Sequence, residues 1–368
     1  MGRASFHTLT VRNSHTDWVM VLSLILLGFV GLFVLLTIDK AFFWQQVIFL
    51  ILGAGIVWGA SKLDVAILWW FAPYGYAISI LLLSLSYLGP EIRGATRWIV
   101  IGSQQLQPSE IVKPFIILFM ARLISVMNPK LARTWFVHLL VWVVPFLLVF
   151  KQPDLGTSIV YLSSWIAMMV AGGFPILAFF VIAGAGGTLF PVLWEHLRPY
   201  QQSRILTFVN PSLDPQGAGY NALQAMIAVG SGQLFGKGLG MGTQSHMRFL
   251  PEFHTDFIFA TLIEELGFIG GFFIFALYVT FLWRMIAPYI KGNYVNAFGF
   301  LYTIGFFTMV LTQIIINAGM NMGIIPVTGI TLPFVSYGGS SILAISLGFG
   351  MLLAIHRHGA RDGSIAIV

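Results

Sequence analysis

The sequence predicts an all-α polytopic membrane protein with ten transmembrane helices, a large extracytoplasmic loop between helices 7 and 8, and both termini cytoplasmic. Three observations carry that prediction. Hydrophobic residues fill 58% of the 368 positions and charged ones only 9%, giving a mean hydropathy of +0.88. Lipid is the solvent that such a balance requires. Ten apolar segments approach the roughly 20 residues that a span needs, and basic residues are distributed unevenly among the segments that connect them.

The apolar segments run at about 18–37, 41–60, 65–88, 109–126, 135–150, 155–172, 174–193, 257–283, 295–319 and 340–356. The first follows Arg3 and Arg12, is too long for a signal-peptide core and precedes no small-residue cleavage site, so it reads as an uncleaved anchor. With both ends inside, the termini and short inner loops hold Arg3, Arg12, Lys62, Lys130, Arg133, Arg284, Lys291, Arg357 and Arg361. The short outer loops hold only Lys40, Arg93, Arg97 and Lys151. That asymmetry puts the ends in the cytoplasm and the 194–256 excursion outside, whose own charges do not count because long segments translocate regardless. The net charge of +6 follows from the inner loops, so no nucleic-acid partner is inferred. The absence of cysteine excludes disulfides and cysteine-ligated metals. Residues 1–368 read as one membrane domain.

Three outer segments break the hydrophobic rhythm: 89–109, the large loop 194–256 with a short interfacial helix at 220–229, and 317–341 with Pro326, Gly329, Pro333 and Gly338-Gly339. Irregular backbone at membrane depth survives only where protein covers it or water reaches it. Three such breaks on one side imply a shared outward cavity.

The charges in and beside the spans each have a plain and a functional reading. Glu110 and Lys113, three apart on one helix face, form either an ion pair that orients helices or a cation held ready for phosphate. Glu264 and Glu265 lie on the order of 12 Å into the eighth span, so at least one needs a cavity or a basic partner. Asp154 sits where a helix should begin and reads as its N-cap. Asp256, in Pro251-Glu252-Phe253-His254-Thr255-Asp256, is either an ordinary N-cap or a general base or metal ligand in company with His254 and Glu252. A helix N-terminus keeps such a carboxylate ionised, and a divalent cation (Mg or Mn) would gather anionic phosphates beside it. The glycine-rich run from Gly230 to Gly238 is not a phosphate loop: Ser231 and Gly238 occupy required positions, and no strand precedes it. Its glycines let the loop fold tightly over the cavity. Arg93, Arg97, Arg198, Arg204 and Lys237 are either solvated loop charges or a phosphate sink. Trp98 either walls the cavity or anchors at the interface.

Together these segments resemble the SEDS family (shape, elongation, division and sporulation proteins), which includes RodA and FtsW. The resemblance runs from about residue 90 to 356 on the motifs Gly94-Ala95-Thr96-Arg97-Trp98, Gln107-Pro108-Ser109-Glu110 and Gln152-Pro153-Asp154-Leu155-Gly156-Thr157. It continues through Tyr200-Gln201 with Arg204, Asn210-Pro211, Asp214-Pro215, Gly217 to Tyr220, Gly242-Thr243-Gln244 and Leu250 to Glu265. Its strongest stretch runs from Asn317 through Pro326, Gly329 and Pro333-Phe334 to Ser336-Tyr337-Gly338-Gly339-Ser340-Ser341. Gln233, where a second glycine is common, and Ala318, where a branched apolar residue is usual, are its small departures. The length and Pro326-Val327-Thr328-Gly329 look more like RodA than FtsW.

The resemblance implies a ten-span peptidoglycan glycosyltransferase acting on lipid II at the outer face of the plasma membrane. It also implies a class B penicillin-binding protein as transpeptidase partner, beside other cell-wall elongation proteins. The family's catalytic acid falls on Asp256, its charged pair on Glu110 and Lys113, and its outer-loop tryptophan on Trp98. The expected mechanism holds the donor pyrophosphate among Arg93, Arg97, Lys113 and Arg204, with Gln244 in the substrate-binding set. Asp256 takes the proton of the acceptor 4-hydroxyl, and His254 is the second candidate for base. A lipid II flippase is the rival reading, although a transporter needs sites open to both sides near the midplane. A partner-docking scaffold would need neither Asp256 nor the Glu110–Lys113 pair, and an O-antigen ligase lacks these motifs.

Overall fold

The computed structural model describes residues 17–90, 96–102, 104–188, 191, 194–195, 202–203, 206–208, 210, 217–247, 249–292 and 296–359. Three helices open the chain: α1 (Trp18–Ile38), α2 (Lys40–Ala60) and α3 (Val65–Leu85). A hairpin of β1 (Ile99–Ile101) and β2 (Gln104–Leu106) then leads into α4 (Pro108–Ile111), α5 (Lys113–Val126), α6 (Ala132–Lys151), α7 (Leu155–Ala171) and α8 (Ile176–Thr188). The large loop carries α9 (Ala218–Ser231) and α10 (Thr243–His246), before α11 (Ile258–Ile290), α12 (Ala297–Asn321) and α13 (Gly339–Gly359).

Seven of the described helices, α1, α2, α3, α6, α11, α12 and α13, are long and apolar enough to cross a membrane. The other three predicted spans are shorter: α5 has 14 residues, α7 17 and α8 13. Acids and an asparagine start many of the helices. Asp17, Asp39, Asp64, Asp154 and Asn296 each accept a backbone N–H of the first turn, at 2.7–3.3 Å. Such a cap satisfies one of the four donors that every helix start leaves open. The N-cap reading of Asp154 is therefore correct. One face of α1 (Met20, Leu24, Leu27, Gly31, Val34, Leu35) is buried at helical spacing, while Leu22, Phe29, Phe33 and Leu36 point outward as lipid-facing residues do. At its start, Asp17 holds Arg284 of α11 at 2.6 Å. Helix α12 is largely interior and packs against α5, α7, α9, α11 and α13.

Three local features depart from the sequence expectation. The 89–109 segment, expected to be irregular, contains an antiparallel hairpin with Ile99 opposite Leu106 and Ile101 opposite Gln104. The fourth span is not one helix, because Pro114 removes an N–H and its ring opposes the Glu110 carbonyl. The chain breaks at Val112, and Pro108 and Pro114 each open a helix. The third departure is in α11, which is interrupted at Gly267 (φ 68°, ψ −169°).

The residues around Gly267 lose their helical hydrogen bonds, and the large loop replaces them. The Glu264 and Glu265 carbonyls accept from Lys237 N–H (2.9 Å) and Gly238 N–H (3.0 Å), while Phe268 and Ile269 N–H donate to Gln233 O (2.8 Å) and Leu234 O (3.2 Å). The glycine-rich run thus folds onto a helix break rather than over a cavity. Both glutamates are fully buried and both are paired, Glu264 with Lys237 Nζ at 2.8 Å and Glu265 with His246 Nε2 at 2.9 Å. Glu264 also accepts from the Gln244 and Ser245 N–H groups at the start of α10.

A methyl at position 267 would meet Gly236 N at 2.3 Å and Leu234 O at 2.5 Å, in a backbone conformation that only glycine tolerates well. Gly267→Ala is therefore expected to destabilise the protein by at least ~2 kcal/mol. The check is a melt of the detergent-solubilised chain; an unchanged midpoint would refute the loop–helix splice.

Candidate active site

The segment Glu252–Phe257 forms a tight turn entering α11. Its three central carbonyls are all held from the α12–α13 half of the chain. His254 O accepts Tyr337 N–H at 2.9 Å, and Thr255 O accepts Ser336 Oγ at 2.7 Å. Asp256 O accepts two amides from α12, Asn317 Nδ2 at 2.9 Å and Asn321 Nδ2 at 3.1 Å. Asn317 Nδ2 also donates to Ile330 O at 2.7 Å, tying the turn to the proline- and glycine-broken stretch 322–338. That stretch is itself held by α2, where Gln46 Nε2 donates to Ser336 O at 2.9 Å and Gln45 accepts the Tyr337 hydroxyl. Burial raises the Tyr337 pKa, so the phenol remains a neutral donor.

The Asp256 carboxylate lies half-buried against Gly329, whose φ of +76° carries the backbone past it. A Cβ on residue 329 would sit 3.3 Å from Asp256 Oδ2. Asp256 is not the N-cap of α11: that position falls on Phe257, and no side chain there caps the first turn. His254 stacks on Phe42 of α2 with ring centroids 4.3 Å apart and lies 5.7 Å from Tyr337.

A second polar cluster gathers at the start of α4 and α7. Buried Asp154 accepts Gln107 Nε2 (2.9 Å), Ser109 Oγ (3.0 Å) and Thr157 N–H (3.1 Å), and lies 3.8 Å from Arg97 Nη1. Arg97 in turn lies 5.7 Å from the Trp98 ring centroid. Glu110 and Lys113 pair at 2.5 Å, both buried, and Lys113 lines a small cavity with Trp142, Tyr161, Ser164 and Trp165. The two clusters meet across residues 328–331. Gly156, at the start of α7, lets Ile330 and Thr328 approach where a Cβ would lie 2.5 Å from Ile330 Cγ1.

Of the residues singled out in the sequence, Asp256 and His254 share the turn, while Arg97, Trp98, Glu110 and Lys113 gather with Asp154. Gln244 belongs to the Gly267 splice: its N–H donates to Glu264, and its carbonyl accepts Leu250 N–H. Arg93 and Arg204 lie outside the described residues. Among the described residues no three His, Asp or Glu side chains converge as a cation cage. Glu252 Oε2 is engaged by Thr255 Oγ1 at 3.2 Å, and the His254 ring is stacked. This donor set fits a cation shared between one carboxylate and a substrate's phosphates, not one caged by protein.

Residues 15–361 match the FtsW/RodA/SpoVE cell cycle protein family. The chain belongs to this family. It is 41% identical over 292 residues to the peptidoglycan glycosyltransferase MrdB of Escherichia coli, covering 78% of each chain. It is 36% identical over 372 residues to stage V sporulation protein E of Bacillus subtilis, covering 95% of this chain and 99% of that one. Among solved structures it superposes on a chain of a peptidoglycan synthase complex with a TM-score of 0.82 at 29% identity, covering 94% of this chain and 99% of the other. The rod shape determining protein RodA of Thermus thermophilus gives 0.70 at 29% identity, covering 93% and 97%.

Sequence reasoning missed Gln45, Gln46 and Asn321, which hold the turn and its neighbour from two different helices. Paired amides within an apolar span are a legible signal, because neutral polar groups in lipid need partners.

The Glu110–Lys113 pair is separable from the rest. Lys113→Met alone leaves a buried carboxylate without its cation, which costs about 3–5 kcal/mol. Glu110→Leu combined with Lys113→Met is expected to recover most of the lost thermal stability, since apolar replacements of a buried pair are often neutral. A double variant no more stable than the single one would exclude a structural ion pair.

Proposed function

We propose that this family member is a peptidoglycan glycosyltransferase that polymerises lipid II into glycan strands on the extracytoplasmic face of the plasma membrane, in the service of cell elongation. The supporting observation is the fixing of the turn that carries Asp256: three successive carbonyls bound by α12 and the 336–337 segment, with Gly329 against the carboxylate. Ten spans with both ends cytoplasmic put that turn outside.

In this scheme the pyrophosphate of one lipid-linked substrate lies among Arg93, Arg97, Lys113 and Arg204, with Trp98 and Glu110 lining its path. Asp256 accepts the proton of the 4-hydroxyl on the acceptor's terminal GlcNAc. The oxygen attacks the donor's anomeric carbon with inversion, and undecaprenyl pyrophosphate leaves. A divalent cation, where bound, would neutralise charge on the donor's phosphates. General-base assistance contributes typically ~10²–10⁴-fold, and stabilising the leaving pyrophosphate contributes more. His254 is the second candidate base, and its stacking on Phe42 favours a wall of the site instead. The partner in this scheme is a class B penicillin-binding protein that cross-links the strands; the similarity to a chain of a peptidoglycan synthase complex supports it.

A lipid II flippase would share the polar cavity but not the need for a base. Asp256→Ala, purified with the cognate transpeptidase and given labelled lipid II with Mg²⁺ or Mn²⁺, is expected to make no glycan while remaining folded. Wild-type ladders from that variant would remove Asp256 from catalysis. No polymer from a well-folded wild-type complex would favour translocation, measured in liposomes.

A further inference from the structure

Helix α11 begins beside the proposed base without a cap of its own. Its N-cap residue, Phe257, carries no side-chain acceptor, so the first-turn donors must be met from elsewhere. Asn321, the last residue of α12, meets one. Its Oδ1 accepts Ala260 N–H, the third residue of α11, at 3.2 Å, in the place a capping side chain normally fills. The same amide donates through Nδ2 to Asp256 O at 3.1 Å and to Asn317 O at 2.7 Å. Asn321 is fully buried. Its orientation is fixed by its neighbours, since two carbonyls require the nitrogen and one N–H requires the oxygen.

Asn317 lies one turn earlier on the same face and donates its Nδ2 to Asp256 O and Ile330 O. The two amides therefore grip the Asp256 peptide from below, and Asn321 fixes the helix that follows it.

We infer that Asn321 and Asn317 are positioning residues for the Asp256 carboxylate, Asn321 capping α11 from a neighbouring helix while both amides hold the Asp256 carbonyl. This rests on Asp256 as the base. The capping duty falls to Asn321 where the sequence alone would give it to Asp256. Anchored at the carbonyl on one side and at Ala260 on the other, the Asp256 backbone has little freedom to shift. A displacement near 1 Å costs on the order of 100-fold where geometry decides a rate.

The test uses the complex with its cognate transpeptidase and compares wild type, Asn321→Leu, Asn321→Ser and Asn317→Leu. Initial polymerisation rates are taken against lipid II concentration, with melting temperature as a check on folding. The expected result is a kcat lowered roughly 10- to 100-fold with KM within about twofold. A folded Asn321→Leu or Asn321→Ser with wild-type kcat would overturn the inference. So would a loss confined to KM, or a failure of both Asn321 variants to fold, which would make the amide structural only. Activity in Asp256→Ala is a separate outcome: it removes the base itself.

Discussion

An unpaired backbone carbonyl or N–H in hydrocarbon costs several kcal/mol, so a membrane chain that interrupts its helices must supply a partner for each group it frees. This chain interrupts them around Val112, at 252–257, at Gly267 and across 322–338. The partners come from remote parts of the sequence. Gln46 reaches the carbonyl of Ser336, Gln152 those of Leu83 and the hydroxyl of Ser86, and the loop at 233–238 splices into the Gly267 break. Neutral amides perform much of this work because they carry a donor and an acceptor without the desolvation cost of a charge. This part of the architecture is a set of backbone breaks made permissible by partners from remote segments.

Charges follow a second rule. Each buried acid outside the 252–257 turn is matched to its own donors: Glu110 to Lys113, Glu264 to Lys237 and the α10 N–H groups, Glu265 to His246 and Thr37, and Asp154 to Gln107, Ser109 and its own helix. Buried pairs of this kind add little net stability over apolar packing, yet breaking one is costly. They make the N-terminal parts of α4, α7 and α11 intolerant of change. At the 252–257 turn, the backbone carbonyl of Asp256 is held by Asn317 and Asn321, and Asn321 also accepts the Ala260 N–H of the helix that follows.

Much of this was legible in the sequence because the signals were local. Hydropathy found the helices, the three-residue spacing found the Glu110–Lys113 pair, and an acid before a helix found the Asp154 cap. Asp256 shows where local signals fail. Position alone makes it as good an N-cap as Asp154, and the two separate only when Asn321 arrives from α12, 65 residues away. The same blindness hid Gln46, 290 residues from Ser336. A sequence shows which groups need partners, but the choice among distant partners belongs to packing. The break at Val112 was visible in Pro114, and the apolar span around it concealed the signal. Gly267 gave less warning, since glycine inside a membrane helix is common.

The position of that second break matters for the site. Glu264 lies eight residues beyond Asp256, and the helical part of that path, Ile258 to Glu264, rises about 9 Å at 1.5 Å per residue. The first turns of α11 are buried on nearly every side: Ile258, Phe259, Ala260, Thr261 and Leu262 are all nearly or fully inaccessible. A short, fully packed helix transmits displacement instead of absorbing it. At one end it carries the proposed base, and at the other two glutamates and two freed carbonyls grip residues 237–246. Small residues Ala225 and Ala228 of α9 pack with Leu250, Phe257 and Ala260 along the same stretch. The large loop and the turn that carries Asp256 thus pack against the same short, buried stretch of helix.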